Sequence, residues 1–217
     1  MNKNIKRLSM VAVLSCSLFG SVLPLMAKAE SPVTVSEKPE TKTLLITAKS
    51  HLKGSLVPYD KAIPNTGSID FHYNGESNGF VDGDVGYLVF TLPKEFQQIA
   101  HHSGFKSAIS GHFTGPHLLG SSTHQYTSSD FDVYSDRIIF KNPNTFFVGH
   151  GKYEADITIN YGKLLKKYPE IKIAPNFDGY EFNTGLYFDS APWDVIKEPI
   201  VGDFTATSVL EGPAVIE

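Results

Sequence analysis

Histidine is the residue type with the most chemistry to offer in this chain. There are eight, and His101, His102, His112, His117 and His124 all fall in the stretch HHSGFKSAISGHFTGPHLLGSSTH. A neutral imidazole ligates zinc or copper, and its ordinary titration range also suits a general base. A metal centre needs three or four converging ligands, and His112, His117 and His124 are the candidate set. His112 and His117 are five residues apart, which matches neither the i, i+4 spacing of a helix face nor the alternate spacing of a strand face. The reading that competes with a metal site, and is preferred, is a set of loop histidines in ordinary hydrogen-bonding roles. No cofactor is expected.

Carboxylates come next. Asp82-Gly83-Asp84 and Asp130-Phe131-Asp132, with Asp136 following, have the oxygen chemistry for calcium. Neither has the D-x-D-x-D-G run with a distal Glu that would wrap the ion, so a hairpin turn and outward strand positions are preferred. Glu154, Asp156 and Asp178 have the side-chain type of a glycosidase pair, and Ser121 or Ser122 that of a triad nucleophile. Residue type alone gives these little force. The chain contains no G-x-S-x-G, H-E-x-x-H or phosphate-binding glycine loop, and no catalytic residue is assigned. Tyr126, Tyr180, Tyr187 and Trp193 lie near turns rich in Gly, Asn, Asp and Pro. They are the candidate ligand-binding set, as aromatics that stack on a sugar or anchor a protein, against a role plugging the ends of the core.

Strands must position these groups. Val85–Leu92 is almost entirely β-favouring, preceded by Asp82-Gly83 as a turn and closed by Pro93. It predicts a central strand buried on both faces. Ser68–Asn74 alternates, with Ile69, Phe71 and Tyr73 on one side and Asp70, His72 and Asn74 on the other. Tyr153–Tyr161 sends Tyr153, Ala155, Ile157, Ile159 and Tyr161 inward and Glu154, Asp156, Thr158 and Asn160 outward. Further strands are expected at Thr43–Ala48, Phe131–Tyr134, Arg137–Lys141, Thr145–Val148, Ile171–Ala174, Tyr180–Phe188 and Asp203–Leu210, with short helices at Lys94–Ala100 and Gly162–Tyr168. The His-rich stretch reads as a long loop or a set of short edge strands. Roughly nine or ten strands separated by turn signals predict an all-β, two-sheet antiparallel sandwich, immunoglobulin-like or jelly-roll, with one or two short helices.

Residues 1–29 have the form of a signal peptide: Lys3, Lys6 and Arg7, then an uncharged run from Leu8 to Ala27, then Ala27-Lys28-Ala29. Residues 30–41 are expected to be a flexible arm, and 42–217 a single sandwich domain. Removing Lys3, Lys6, Arg7 and Lys28 from the 19 Lys and Arg leaves 15 against 23 Asp and Glu, a net charge near −8. Such a balance argues against nucleic acid and anionic membrane surfaces as partners. The one cysteine, Cys16, falls inside the signal, which leaves the exported chain without disulfides, a usage that suits a Gram-positive exporter. The C-terminus lacks an LPxTG signal or an apolar tail, so the expected product is released or held non-covalently at the surface, and no membrane insertion is expected.

Over Val81–Phe96 the pattern V-D-G-D-(x)5-F-T-L-P-K-x-F resembles strands of immunoglobulin-like domains in Gram-positive surface adhesins, and GDFTATSVLEG, Gly202–Gly212, is similar to a terminal sandwich strand. The resemblance implies a β-sandwich. The expected function is a secreted, non-enzymatic adhesion protein whose partner is an extracellular protein or carbohydrate. The alternatives are a secreted hydrolase or metal-dependent enzyme using the His101–His124 stretch, and a β-rich toxin or matrix component. N-terminal sequencing of exported material is expected to begin at Glu30, because Ala27 and Ala29 fit the small-residue subsites of the peptidase; full-length protein retained in the membrane would refute this.

Overall fold

The computed structural model describes residues 44–188 and 201–216, all within the compact unit Pro39–Glu217. The signal, the arm and Trp193 lie outside the described residues. In chain order the elements are β1 (Leu44–Val57), β2 (Tyr59–Asp60), β3 (Ser68–Thr91), α1 (Lys94–Ala100) and a 3-10 turn at Phe105–Ala108. Then follow β4 (Ile109–His117), β5 (Gly120–Gln125), β6 (Phe131–Val133), β7 (Arg137–Ile159), α2 (Gly162–Lys167), β8 (Tyr180–Phe188), β9 (Val201–Gly202), β10 (Thr205–Leu210) and β11 (Val215–Ile216).

Two long strands carry the architecture. β3 runs antiparallel to β7 from Ile69↔Ile159 to Thr91↔Arg137. Each half of this ribbon then recruits different neighbours. The first half of β3 takes β1, from Val57↔Ser68 to Leu44↔Phe80, and the partnering half of β7 takes β4, which takes β5. The second half of β3 takes β8, which takes β10, while the start of β7 takes β6. The result is an antiparallel β-sandwich in which both layers share the same two strands.

The ribbon bends back on itself to make this possible. Phe71 and Phe90 are nineteen residues apart on β3, a separation of roughly 60 Å in a straight strand. Their ring centroids are 5.3 Å apart. Register shifts between Asp82 and Asp84 and between Val85 and Tyr87 mark the corner. At Gly83 φ is +75°, a conformation that glycine adopts without the Cβ clash other residues meet. The expected Asp82-Gly83 turn is therefore a bulge inside a continuous strand. Corners of this kind are how strands pass from one sheet to the other.

Between the layers lies an aromatic core. Phe71 packs on Phe182 at 4.8 Å and Phe90 edge-on against Phe140 at 6.0 Å. Phe96 from α1 closes one end against Tyr161 and Tyr180, and Tyr153 meets Phe188 and Phe204. Edge-to-face contacts of this sort suit the ring quadrupole and add to simple area burial. Tyr73 donates its hydroxyl to the Phe204 carbonyl at 3.0 Å, tying β3 to the residue that leads into β10. Burial pushes the Tyr73, Tyr126, Tyr153 and Tyr161 phenols far above their ordinary range.

Several expectations need correction. The Val85–Leu92 segment is buried on one face, with Gly86, Leu88, Phe90 and Leu92 inside and Val85, Tyr87 and Val89 only half-buried, because it lies in an outer layer rather than between two others. Thr145–Val148 and Tyr153–Tyr161 belong to the single strand β7, apart from the last two residues of the latter. Ile171–Ala174 joins no ladder; Ile173 alone is buried there. By contrast Lys94–Ala100, the β6–β7 hairpin, Tyr180–Phe188 and the inward set of Tyr153–Tyr161 are as expected. Phe90, 1% exposed, sits where both layers meet. Phe90→Ala is expected to cost about 3–5 kcal/mol, read as a midpoint shift in denaturant melts; a change under about 1 kcal/mol would remove Phe90 from the core.

Candidate functional site

Register across β1, β3, β7, β4 and β5 assembles an outward polar face. Its residues alternate with the core residues of the same strands, so they are aimed at solvent by the pleat. Four rows cross the strands. Lys49, Glu76 and Lys152 form one, with Lys49 Nζ at 2.8 Å and Lys152 Nζ at 4.0 Å from the Glu76 carboxylate. His51, Asn74, Glu154, Thr114 and Thr123 form the next, the two threonine hydroxyls 2.8 Å apart. Lys53, His72, Asp156, His112 and Gln125 form the third, and Ser55, Asp70, Thr158 and Ser110 the fourth, where Thr158 donates to Asp70 at 2.6 Å.

The third row has the most distinctive chemistry. Asp156 faces two imidazoles from opposite neighbouring strands: His72 Nδ1 lies 2.6 Å from Oδ1 and His112 Nε2 lies 3.2 Å from Oδ2. One carboxylate thus orients both rings, and His72 Nε2 and His112 Nδ1 fall outside the pairing. β4 approaches β7 closely enough for this only because residue 111 is glycine: a Cβ there would lie 2.2 Å from the Asp156 carbonyl oxygen. Exposed pairs of this kind contribute little to stability. Their role is to fix the orientation of the groups on the face.

The three histidines proposed from sequence do not converge. His112 is on the outer face. His124 lies across from the core residue Phe113, so its side chain is on the opposite face of the sheet; its Nε2 is 3.3 Å from Asp130, and its ring stands edge-on to Tyr126. His117 is exposed at the far end of the β4–β5 hairpin. Among the described residues no three His, Cys, Asp or Glu side chains come together in a way that could hold a metal ion. Asp130, Asp132 and Asp136 each answer a separate neighbour: Thr127 and His124, Lys106, and Arg137. Hydrogen bonds from the Thr127 hydroxyl and amide hold the Asp130 carboxyl below its usual range, and the Arg137 guanidinium does the same for Asp136.

Of the aromatic candidates, Tyr126 and Tyr180 are buried. Tyr126 donates to Asn142 Oδ1, and Tyr180 donates to the Ala174 carbonyl at 3.1 Å. Tyr187 is half-buried, paired in register with Tyr87, and burial followed by the Asp203 charge pushes its phenol up. Trp193 lies outside the described residues.

With this geometry in hand, the chain can be set beside known proteins. No protein-family model matches it, and no curated protein matches it in sequence. Solved structures do. They include domains of a bacterial adhesin and of a bacterial surface protein. The collagen-binding domain from a Staphylococcus aureus adhesin is 9% identical over 75% of this chain and 97% of that one, with a TM-score of 0.34. The partial N-terminal region of an enterococcal surface protein is 13% identical over 82% of this chain and 46% of that one, with a TM-score of 0.41. The B domain of a biofilm-associated protein is 9% identical over 81% and 45%, with a TM-score of 0.37. No helix among the described residues is long and apolar enough to cross a membrane.

Alternation within each strand puts His72 and Asp156 on outward faces and carries no information on their pairing. The signal that unites them is the cross-strand register, which pairs residues 84 apart. From the dispersion of His112, His117 and His124, EDTA or added zinc is expected to leave the melting temperature unchanged. A drop of several degrees in chelator, abolished by replacing all three with Ala, would reveal a bound ion instead.

Proposed function

We propose that this chain is a non-enzymatic, adhesion-type binding protein that acts outside the cell on an extracellular protein or glycan, through the outer face of the β1-β3-β7-β4-β5 sheet. The observation that carries this reading is the His72–Asp156–His112 row and the polar rows beside it. Together they form an open surface whose donors and acceptors are held in place by strand register. A broad open face suits a macromolecular surface, whereas small-molecule chemistry is ordinarily done in concave, mostly apolar clefts. Charges of both signs alternate along the rows, Lys49–Glu76–Lys152 in particular, which favours a partner with a mixed polar surface over a polyanion. The export-type N-terminus supports an extracellular setting.

The test is capture of the full chain on immobilised collagen, fibrinogen, fibronectin and mucin, read by surface plasmon resonance. Wild type is expected to bind at least one of them. His72→Ala and Asp156→Ala are expected to weaken that binding about tenfold, while Lys166→Ala on α2 leaves it unchanged. Absence of binding to all four surfaces, or equal binding by the His72 and Asp156 variants, would refute the assignment.

A further inference from the structure

A separate feature lies where α1 meets the segment leading into β8. There a cleft of about 530 Å³ is lined by Lys94, Glu95, Pro175, Asn176, Phe177 and Asp178. Phe177 is 99% exposed. A phenyl ring left in water forgoes roughly 1.5–3 kcal/mol of burial, and hydrogen bonds of the neighbouring residues brace the turn that carries this one. Asn176 donates from Nδ2 to Glu95 at 3.1 Å and accepts from the Asp178 amide at 3.1 Å. Its carbonyl accepts from the Gly179 amide at 3.3 Å. On either side, buried Ile173 and Tyr180 root the segment in the core, and the Tyr180 hydroxyl grips the Ala174 carbonyl. The ring is thus presented on a braced turn, beside a cleft that amide, carboxylate and ammonium groups also line.

A ligand for this cleft must offer an apolar face to the ring and both donors and acceptors to the rim. A pyranose does this: the C–H groups of one face meet the negative π-face of an aromatic ring, and its hydroxyls radiate toward the rim. A protein partner fits less well, because aromatic anchors of protein interfaces sit in fully desolvated centres depleted of Asp, Glu and Lys, and Lys94, Glu95 and Asp178 line this cleft together with Phe177. Two carboxylates against one ammonium also disfavour a sulfated or carboxylated sugar. We propose that this cleft is a glycan-binding subsite for a neutral sugar, with Phe177 as the stacking platform and Asn176, Asp178, Glu95 and Lys94 as its hydrogen-bonding groups.

The experiment is a titration of the full chain with chitotriose, cellotriose and lactose, followed by NMR shifts and calorimetry, with a sulfated trisaccharide and immobilised collagen in parallel. At least one neutral sugar is expected to bind, with affinity nearly independent of salt. Phe177→Ala should weaken it about tenfold or more without moving the melting temperature, since this ring has almost no packing to lose. Phe177→Trp should retain or strengthen binding, and Asp156→Ala should leave it unchanged, which separates this subsite from the sheet face. Failure of all three neutral sugars to bind, equal affinity in Phe177→Ala, or binding confined to the sulfated sugar would overturn the proposal. So would loss of collagen capture in Phe177→Ala with no neutral sugar bound, which would make the ring a protein anchor.

Discussion

Pairing β3 with β7 along nearly their whole lengths forces the rest of the molecule into place. Two antiparallel strands of more than twenty residues are too long for one layer of a small domain, whose strands usually run to about ten residues. The ribbon must bend, and once it bends each half becomes the centre of its own sheet. Gly83 and the register shifts beside it supply the corner. The aromatic pairs Phe71–Phe90 and Phe71–Phe182 supply the attraction that keeps it closed. Hydrogen bonding would not choose the bent form, since the bulges interrupt the ladder at the corner. Removal of the apolar faces from water makes the choice.

The same pairing produces the polar face. In a strand, successive side chains alternate between core and solvent, so Phe71 and Tyr73 inside dictate Asp70, His72 and Asn74 outside. A slip of one residue between β3 and β7 would bury Asp156 and expose Ile157. Core packing therefore fixes the register, and the register fixes which polar groups meet across strands. The His72–Asp156–His112 row contributes little to stability in its own right. Its geometry is inherited from the buried residues on the other side of the sheet.

The two proposed binding surfaces arise in physically different ways. The sheet face is flat chemistry on a rigid support, with orientation set by cross-strand partners. The Phe177 cleft is a loop feature, in which a short run of backbone and side-chain hydrogen bonds holds one large apolar ring in water. Loops on a rigid sandwich commonly carry recognition, and this one is anchored at both ends by buried Ile173 and Tyr180. Leu119 at the β4–β5 turn, 97% exposed, shows that apolar exposure alone is not distinctive in this chain. The polar rim and the cleft set Phe177 apart.

Local sequence pattern determined much of this structure. The two-residue period of Tyr153–Tyr161, the β-favouring composition of Tyr180–Phe188, the Pro93 stop before α1 and the turn between β6 and β7 all act over a few residues, and each reads directly from the chain. Alternation likewise separated Asp70, His72 and Asn74 from the core set, and Glu154, Asp156 and Thr158 from theirs. Tertiary structure alone decided the remainder. Whether Asp82-Gly83 is a hairpin or a bulge depends on what pairs alongside it, since φ > 0 serves both. Whether His112, His117 and His124 share a site depends on which sheet face each occupies, and that follows from Phe113 being drawn into the core opposite His124. The burial of Tyr126 and Tyr180 inverts what their turn-rich neighbourhoods suggest, because burial is settled by long-range packing of the two layers. Periodicity tells a side chain which face it shares with its neighbours in sequence; only the fold tells it which partner waits on that face.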